Sequence, residues 1–178
     1  MPKNESCKGG TQSPMILILM GVVGSGKTTV GHLLAEELSW TFADADDFHS
    51  PENKDKIHRG IALTDEDREP WLANLRAQIT AWISNHQSAI LACSALKRAY
   101  REELRVGPEV RFVYLKGTAS LIESRLRART GHFADAKILD SQFDQLEEPE
   151  PSENALTVPI AGSPQEIAAE IRQELCLS

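Results

Sequence analysis

The sequence predicts an α/β fold in which a parallel five-stranded sheet carries helices on both faces. Short apolar runs of strand length alternate with amphipathic helical patterns along the chain, which is typical of this class. A glycine-rich turn joins the first strand to the first helix. The chain has 178 residues, 41% of them hydrophobic and 25% charged, which suits one ordinary globular domain.

The elements of the first half of the chain follow from these patterns. Met15–Met20 is a continuous apolar run, as expected for a parallel strand buried on both faces. A helix is predicted over Lys27–Leu38, and a second strand over Trp40–Ala43 that ends in an acidic cluster. Residues 50–67 are polar and predict short helical turns. A helix is then predicted to begin at Pro70, with this apolar stripe: Trp71, Leu72, Leu75, Ile79 and Ile83.

The second half continues the alternation. Ala89–Cys93 and Val110–Leu115 are predicted strands, each followed by a helix. Gln142–Asn154 is acidic and contains two prolines, which predicts a loop. A fifth strand over Ala155–Val158 and a closing helix over Pro164–Leu175 complete the domain, which we assign to residues 14–178. Residues 1–13 are polar and aperiodic and predict a disordered tail.

Composition and charge exclude several functional classes. The net charge is −7, so the chain lacks the broad basic face that non-specific binding of nucleic acid requires. No apolar run is long enough to cross a bilayer, and no secretory leader is visible. Three isolated cysteines predict neither a disulfide scaffold nor a zinc site, and favour a cytoplasmic protein. Residues 95–133 hold nine basic and four acidic side chains, which predicts either an anion site or a solvated helix face.

The turn after the first strand fits the pattern G-x-x-x-x-G-K-[ST] at every fixed position. Its glycines allow consecutive backbone N–H groups to point inward around phosphate oxygens, and the following helix adds its positive N-terminal end. Lysine supplies a charge to the phosphates, and the threonine hydroxyl is a ligand for Mg²⁺. We expect ATP to contact Gly21, Val22, Val23, Gly24, Ser25, Gly26, Lys27, Thr28 and Thr29.

Two carboxylates at the end of the second strand are the candidates for metal and proton chemistry. The signature motifs of GTPases are absent, and the strand that begins at Ala89 does not end in the usual aspartate. Asp44 and Asp46 lie on one side of an extended stretch, so that one could hold the hydration shell of Mg²⁺ and the other accept a proton. The alternative is that these acids only cap the next helix.

Four stretches of the chain carry a more specific resemblance. The sequence resembles the gluconokinase family, small phosphate-loop kinases related to shikimate kinase, over nearly everything from Ile16 onward. The run Asp-x-Asp-Arg-x-Pro-Trp-Leu followed by Ser-Ala-Leu-Lys is the most selective part. The stretches are Met20–Thr28; Asp46–Asn53 with Leu63–Leu72; Cys93–Arg101; and Tyr114–Gly117 with Arg125–Phe133.

The resemblance implies ATP-dependent phosphorylation of D-gluconate to 6-phospho-D-gluconate in a three-layer P-loop kinase fold. It implies Mg²⁺, a mobile lid over about residues 125–145, and a homodimer as one expected assembly. Asp46 is then the general base and Asp44 holds Mg²⁺ through water, with Thr28 as a direct ligand. Lys27, Arg125 and Arg129 would bind the phosphates. Candidates for the acceptor's carboxylate and hydroxyls are Arg68, Lys97, Arg101 and His49.

Two other functions stay open on the sequence. The chain could phosphorylate another small polyol acid or a shikimate-like acceptor by the same chemistry. It could also be a nucleotide-binding module that catalyses no transfer, although Lys27, Thr28, Asp44 and Asp46 are all present.

Overall fold

Five parallel strands form one sheet in the part of the chain that the structure describes. This computed structural model describes residues 13–130 and 134–177, without the side chains of 129, 130 and 134–137. The order across the sheet is β2-β3-β1-β4-β5, and every neighbouring pair is parallel, which confirms the predicted class. The strands are β1 (Ile16–Met20), β2 (Thr41–Asp44), β3 (Ala89–Ala92), β4 (Val110–Lys116) and β5 (Leu156–Pro159).

Helices connect the strands and cover both faces of the sheet. Two short 3-10 turns, Ala45–Phe48 and Pro151–Glu153, follow β2 and precede β5. Within the described residues the α-helices are α1 (Lys27–Leu38), α2 (Pro51–His58), α3 (Asp65–Ser84), α4 (Arg98–Leu104), α5 (Ala119–Thr130), α6 (Ala134–Gln145) and α7 (Pro164–Glu174).

The alternation of side chains along β1 divides the apolar core into two layers. Ile16, Ile18 and Met20 face a layer that includes Trp71 and Leu75 of α3. Leu17 and Leu19 face the opposite layer, which is formed mainly with α1 and α7. All five β1 side chains are buried, because the central strand of a parallel sheet is covered on both faces.

The structure corrects the predicted start of α3. The helix begins at Asp65 and contains Pro70, instead of beginning there. Thr64 and Asp67 form a capping box in which each side chain accepts a hydrogen bond from the other residue's backbone N–H. This cap, together with three acidic residues in the first turn, favours a start five residues before the proline.

The predicted loop over Gln142–Asn154 is also corrected in part. Its first four residues belong to α6, which ends at Gln145, and Pro151–Glu153 forms a 3-10 turn. Leu139 and Phe143 pack into the same core layer at helical spacing, which extends the helix into the acidic segment.

The predicted tail lies outside the described residues apart from residue 13. No helix in the described part of the chain combines the length and the apolar character needed to span a membrane.

Candidate active site

The glycine-rich loop between β1 and α1 turns in a way that requires glycine at two positions. Gly24 has φ 77° and Gly26, which precedes the first turn of α1, has φ 95°. Both values lie in the left-handed region that side chains with a Cβ disfavour. A Cβ at Gly24 would also lie 2.9 Å from the side chain of Leu126, so that α5 packs directly against the loop.

The ammonium group of Lys27 folds back onto the loop that precedes it. Its Nζ donates hydrogen bonds of 3.0 Å to the carbonyl oxygens of Gly21 and Val22. Enclosure of the ammonium lowers the pKa of Lys27, and the nearby Asp46 and Asp44 carboxylates oppose that shift. The loop therefore presents a fixed cation beside its backbone N–H groups.

A cavity of about 210 Å³, which we call the loop cavity, opens over the glycine-rich loop. Of the nine loop residues predicted to bind a nucleotide, six line this cavity; Gly21, Val22 and the fully buried Ser25 lie behind it. The lining residues are Val23, Gly24, Gly26, Lys27, Thr28, Thr29, Asp44, Asp46, Ala92, Ser94 and Gln142.

Thr28 and the end of β2 form the floor of the loop cavity. The Thr28 hydroxyl donates a hydrogen bond to Asp44 Oδ2 at 3.3 Å, and Asp44 Oδ1 accepts one from the backbone N–H of Asp46 at 3.0 Å. Hydroxyl and carboxylate oxygens are the hard donors that Mg²⁺ prefers. No group of three or more His, Cys, Asp or Glu side chains arranged for a metal occurs among the described residues, so this pair fits an ion that keeps its other ligands from water and phosphate.

Asp46 stands beside this floor with its carboxylate toward the cavity. Desolvation in the cleft raises the pKa of Asp46, and the charge of Asp44 adds to the increase. Trp71 Nε1 donates a 2.7 Å hydrogen bond to the carbonyl of Ala45, which fixes the backbone between the two aspartates. A carboxylate held in this way is suited to accept a proton.

A second cavity, of about 340 Å³, lies between α2, α3, α4 and α6, and we call it the helix cavity. Its volume is within the range of small-molecule sites. Three residues, Asp46, Ser94 and Gln142, line both cavities. The other lining residues are His49, Ile57, Gly60, Ile61, Ala62, Leu63, Arg68, Trp71, Ala95, Leu96, Tyr100, Ile138, Ser141 and Gln145.

Arg68 is the cation that the structure places in the wall of the helix cavity. Its side chain is 20% exposed, and its Nη1 donates a 3.2 Å hydrogen bond to the Tyr100 hydroxyl and lies 3.6 Å from Asp65 Oδ1. The Tyr100 hydroxyl in turn donates to Asp65. Burial and this hydrogen bond raise the pKa of Tyr100, so the hydroxyl keeps its proton and orients the guanidinium.

His49 lies in the wall of the same cavity, stacked on Trp71 with ring centroids 4.6 Å apart. Burial, with contributions from the charges of Arg68 and Lys54, lowers the pKa of His49 to about 4. The imidazole is therefore neutral near pH 7, and its buried Nδ1 has no hydrogen-bond partner within the described residues.

The structure places two predicted acceptor-binding residues elsewhere. The Lys97 ammonium binds both oxygens of Asp65, at 2.8 and 3.0 Å, and lines neither cavity. The Arg101 side chain is 1% exposed and pairs with Glu153 at 2.6 Å. In this arrangement the Arg101 guanidinium is fully engaged by a buried carboxylate, and the structure brings neither Arg101 nor Lys97 into the cavity that Arg68 lines.

The structure places Arg125, a predicted phosphate contact, away from the loop cavity. Its Nη2 donates to the carbonyl oxygens of Ile160 and Gly162, beyond the end of β5, and the residue lines neither cavity. The side chain of Arg129 lies outside the described residues, so its predicted contact stays a prediction. The Arg127 side chain between them is 82% exposed, and its Nη2 lies 3.6 Å from Glu123 Oε2.

Ser94, Tyr100 and Gln142 are the site residues that sequence reasoning did not identify. Ser94 comes just after β3, at the carboxyl end of the sheet where ligands bind in open α/β folds. A polar residue at that position is a sequence signal from which Ser94 could have been identified. The sequence predicts a loop at Gln142, and only the helical spacing of Leu139 and Phe143 indicates that this residue belongs to α6.

Comparisons with known proteins agree with this geometry. Residues 23–176 match the Shikimate kinase family. The chain is 41% identical to a probable gluconokinase of Rattus norvegicus, over 92% of this chain and 99% of that one. A sugar kinase from Janibacter sp. superposes with a TM-score of 0.85 at 43% identity, covering 93% of this chain and 96% of the other. A gluconokinase from Sinorhizobium meliloti superposes with a TM-score of 0.80 at 36% identity, covering 93% and 97%.

Proposed function

The chain belongs to the shikimate kinase family, and we propose that it is a gluconokinase, which transfers the γ-phosphoryl group of ATP to the 6-hydroxyl of D-gluconate. The identity of the acceptor rests on the similarity to gluconokinases over most of both chains. The transfer itself rests on the arrangement of the two cavities.

The observation that supports phosphoryl transfer is that the two cavities share part of their walls. The loop cavity and the helix cavity have Asp46, Ser94 and Gln142 in common, so a phosphate in the first cavity and a hydroxyl in the second would meet beside the Asp46 carboxylate. Holding two reactants in contact converts a bimolecular reaction into an effectively unimolecular one. A module that only binds a nucleotide would not need the second cavity.

The reaction follows from the chemistry of these groups. The 6-hydroxyl oxygen of the acceptor forms a bond to the γ-phosphorus of ATP, and the bond from that phosphorus to the bridging oxygen breaks, so that ADP leaves with the electron pair. Asp46 accepts the proton of the hydroxyl. Lys27 stabilises the charge on the phosphoryl oxygens from a fixed position in the loop.

Thr28 and Asp44 are the residues that would hold Mg²⁺, Thr28 through its hydroxyl and Asp44 through water. When bound there, the ion would neutralise negative charge on the β- and γ-phosphates. The contact between these two side chains already brings their oxygens together at the floor of the loop cavity.

Arg68 is the group that we expect to bind the carboxylate of gluconate. Its guanidinium is oriented by Tyr100 and suits two-point binding of a carboxylate. His49, neutral near pH 7, is the expected partner of an acceptor hydroxyl, because it lines the helix cavity and a neutral imidazole has one donor and one acceptor nitrogen.

Two expectations carried over from the family also belong to the proposal. Residues 125–145 would act as a lid over the nucleotide; residues 131–133 of that segment lie outside the described residues. The chain would form a homodimer, which sedimentation velocity over a range of concentrations tests directly.

The proposed function is tested by ADP release from MgATP in the presence of D-gluconate, epimers of gluconate, shikimate, glucose and AMP, with Lys27→Ala as the control. We expect turnover with D-gluconate that the control lacks. Turnover with another acid would replace the acceptor and keep the transfer chemistry. Absence of ADP release with every acceptor, while ATP still binds, would contradict the proposal that the chain is a kinase.

A further inference from the structure

Gln142 lies at the junction of the two cavities, where it lines both. It belongs to α6, the helix that also contributes Ile138 and Ser141 to the helix cavity. It is half-buried, and it is one of only three residues shared by the two cavities among those that the structure describes. No role in the reaction described above has been given to it.

The amide oxygen of Gln142 is bound to the glycine-rich loop. The backbone N–H of Val23 donates a 2.6 Å hydrogen bond to Gln142 Oε1 across 119 residues of chain. Val23 lines the loop cavity, so the contact places the glutamine amide beside the part of the loop that faces bound phosphate. The contact also fixes α6 relative to the loop.

The other half of the amide is available to a ligand. A glutamine side chain has two N–H donors on Nε2 in addition to its acceptor oxygen. With Oε1 bound to Val23, the geometry of the amide directs Nε2 away from that N–H, and Nε2 has no hydrogen-bond partner within the described residues. By contrast, Gln145 one turn later uses its Nε2 on Ser141, 3.2 Å from the carbonyl oxygen and 3.1 Å from Oγ.

We propose that Gln142 is a further catalytic residue, which holds the loop at Val23 through Oε1 and donates a hydrogen bond from Nε2 to the phosphoryl group as it passes between the cavities. The inference rests on the proposed function. Gln142 exchanges no proton and forms no covalent bond; the bonds made and broken are those of the transfer to the acceptor hydroxyl. A donor fixed in advance at the place where charge shifts during transfer stabilises the transition state more than the ground state.

Two substitutions separate the donor from the contact with Val23. Gln142→Glu keeps the length of the side chain and an oxygen that can accept from Val23, but its carboxylate has no N–H and carries a negative charge. Gln142→Leu removes both functions. Asp144→Asn is the matched control, since Asp144 lies on the same helix, is exposed and lines neither cavity.

The experiment measures kcat and KM for ATP and D-gluconate with each variant, over a range of pH. We expect Gln142→Leu and Gln142→Glu to lower kcat by about 10²-fold, the usual cost of losing one fixed donor, with both KM values within about 3-fold of the parent. Asp144→Asn should change kcat by less than about 3-fold. Relative to the parent, kcat of Gln142→Glu should rise as the pH falls, because a protonated carboxyl group regains a donor.

A measurement that does not depend on turnover is the affinity for ADP with aluminium fluoride, a mimic of the planar phosphoryl group. Gln142→Glu should bind this complex at least 10-fold more weakly than the parent while its affinity for ADP alone changes little. Parent-like kcat in Gln142→Glu would overturn the inference, since the contact with Val23 would then be sufficient. An equal loss in Asp144→Asn would also overturn it. If Gln142→Leu fails to fold, Gln142→Glu still decides the result.

The failure of the proposed function gives a different result. In that case the parent enzyme does not turn over gluconate. If only the role of Gln142 is wrong, the parent is active and the variants have the same kcat as the parent. If the parent turns over another acceptor, the same comparison is made with that acceptor.

Discussion

At the scale of single residues, the candidate site is defined by the charged side chains that line the two cavities. Lys97 and Arg101, both plausible anion binders by residue type, are paired with Asp65 and Glu153. Asp46 and Arg68 differ in that both line the helix cavity; Arg68 lies 3.6 Å from Asp65, farther than the 2.8 Å between Lys97 and Asp65. Asp46 as the proposed base and Arg68 as the proposed carboxylate-binding residue can each be tested by substitution.

Replacement of Asp46 by asparagine should lower kcat by about 10²–10⁴-fold, the range for loss of a positioned general base. Asparagine is close in size and keeps hydrogen-bonding capacity, so KM for gluconate should change little. Steady-state kinetics with saturating MgATP check both values. Asp47→Asn is the control, because this neighbouring carboxylate is exposed and lines neither cavity. A comparable loss in the control would argue against a specific role for Asp46.

At the scale of the elements, Arg101 fixes the segment between β3 and α4. Its guanidinium donates to Glu153, and its Nη1 donates to the carbonyl oxygens of Ala95 and Leu96 at 3.0 and 3.1 Å. Ala95 has φ 44°, in the left-handed region that costs a residue with a Cβ about 1–2 kcal/mol. The ion pair thus holds a strained segment that forms part of the helix cavity, next to Ser94.

Arg101→Met should lower the free energy of unfolding by about 3–5 kcal/mol, since the substitution leaves the buried Glu153 carboxylate unpaired. Urea denaturation followed by circular dichroism measures the change. The matched control is Arg98→Met on the same helix, whose ion pairs with Glu102 and Glu150 are exposed and should contribute no more than about 1 kcal/mol. Equal losses in the two variants would contradict the role assigned to Arg101.

The same ion pair predicts a pH dependence of stability. The hydrogen bond from Arg101 lowers the pKa of Glu153 from its usual 4.5. A carboxyl group whose pKa is lower in the folded state stabilises the fold above its unfolded pKa, and this stabilisation is lost as the pH falls through the folded value. Between pH 4.5 and more acidic conditions, Glu153→Gln should therefore lose stability less steeply than the parent protein. Parallel curves from denaturation at several pH values would argue against the predicted shift.

The elements that could be predicted from the sequence are those fixed by local signals. The apolar run of β1, the glycine-rich loop and the stripe of α3 each lie within a few consecutive residues. The start of α3 was wrong, because a capping box at Thr64 outweighed the proline. The pairing of Arg101 could not be predicted, because its partner Glu153 is 52 residues away and no pattern in the sequence connects the two.

At the scale of the whole molecule, the two cavities are built from different parts of the chain and meet only in the assembled fold. The loop cavity is lined mainly by the glycine-rich loop, the start of α1 and the end of β2, whereas the helix cavity is lined mainly by residues in and around α2, α3, α4 and α6; Asp46, Ser94 and Gln142 line both. Each cavity can thus be expected to bind its ligand without the other being filled.

The Tm measured by thermal unfolding should show that the two ligands bind independently. A ligand present at about 100 times its Kd stabilises a protein by about 2.7 kcal/mol, which corresponds to roughly 5–10 °C in Tm for a domain of this size. Lys27→Ala should lose the shift caused by MgATP and keep the shift caused by gluconate. Arg68→Ala should show the opposite pattern, and loss of both shifts in either variant would contradict separate sites.

The contact between Arg101 and Glu153 also has a consequence for the chain during its synthesis, which proceeds from the N-terminus. A nascent chain that ends before residue 142 already contains the glycine-rich loop, Lys27 and both aspartates, but neither Gln142 nor Glu153. Its β3–α4 segment has no buried carboxylate to hold it, and one wall of the cleft is missing. We expect such a chain to have no transfer activity, so that the segment from Gln142 to Glu153 must leave the ribosome before the chain can transfer phosphate from ATP.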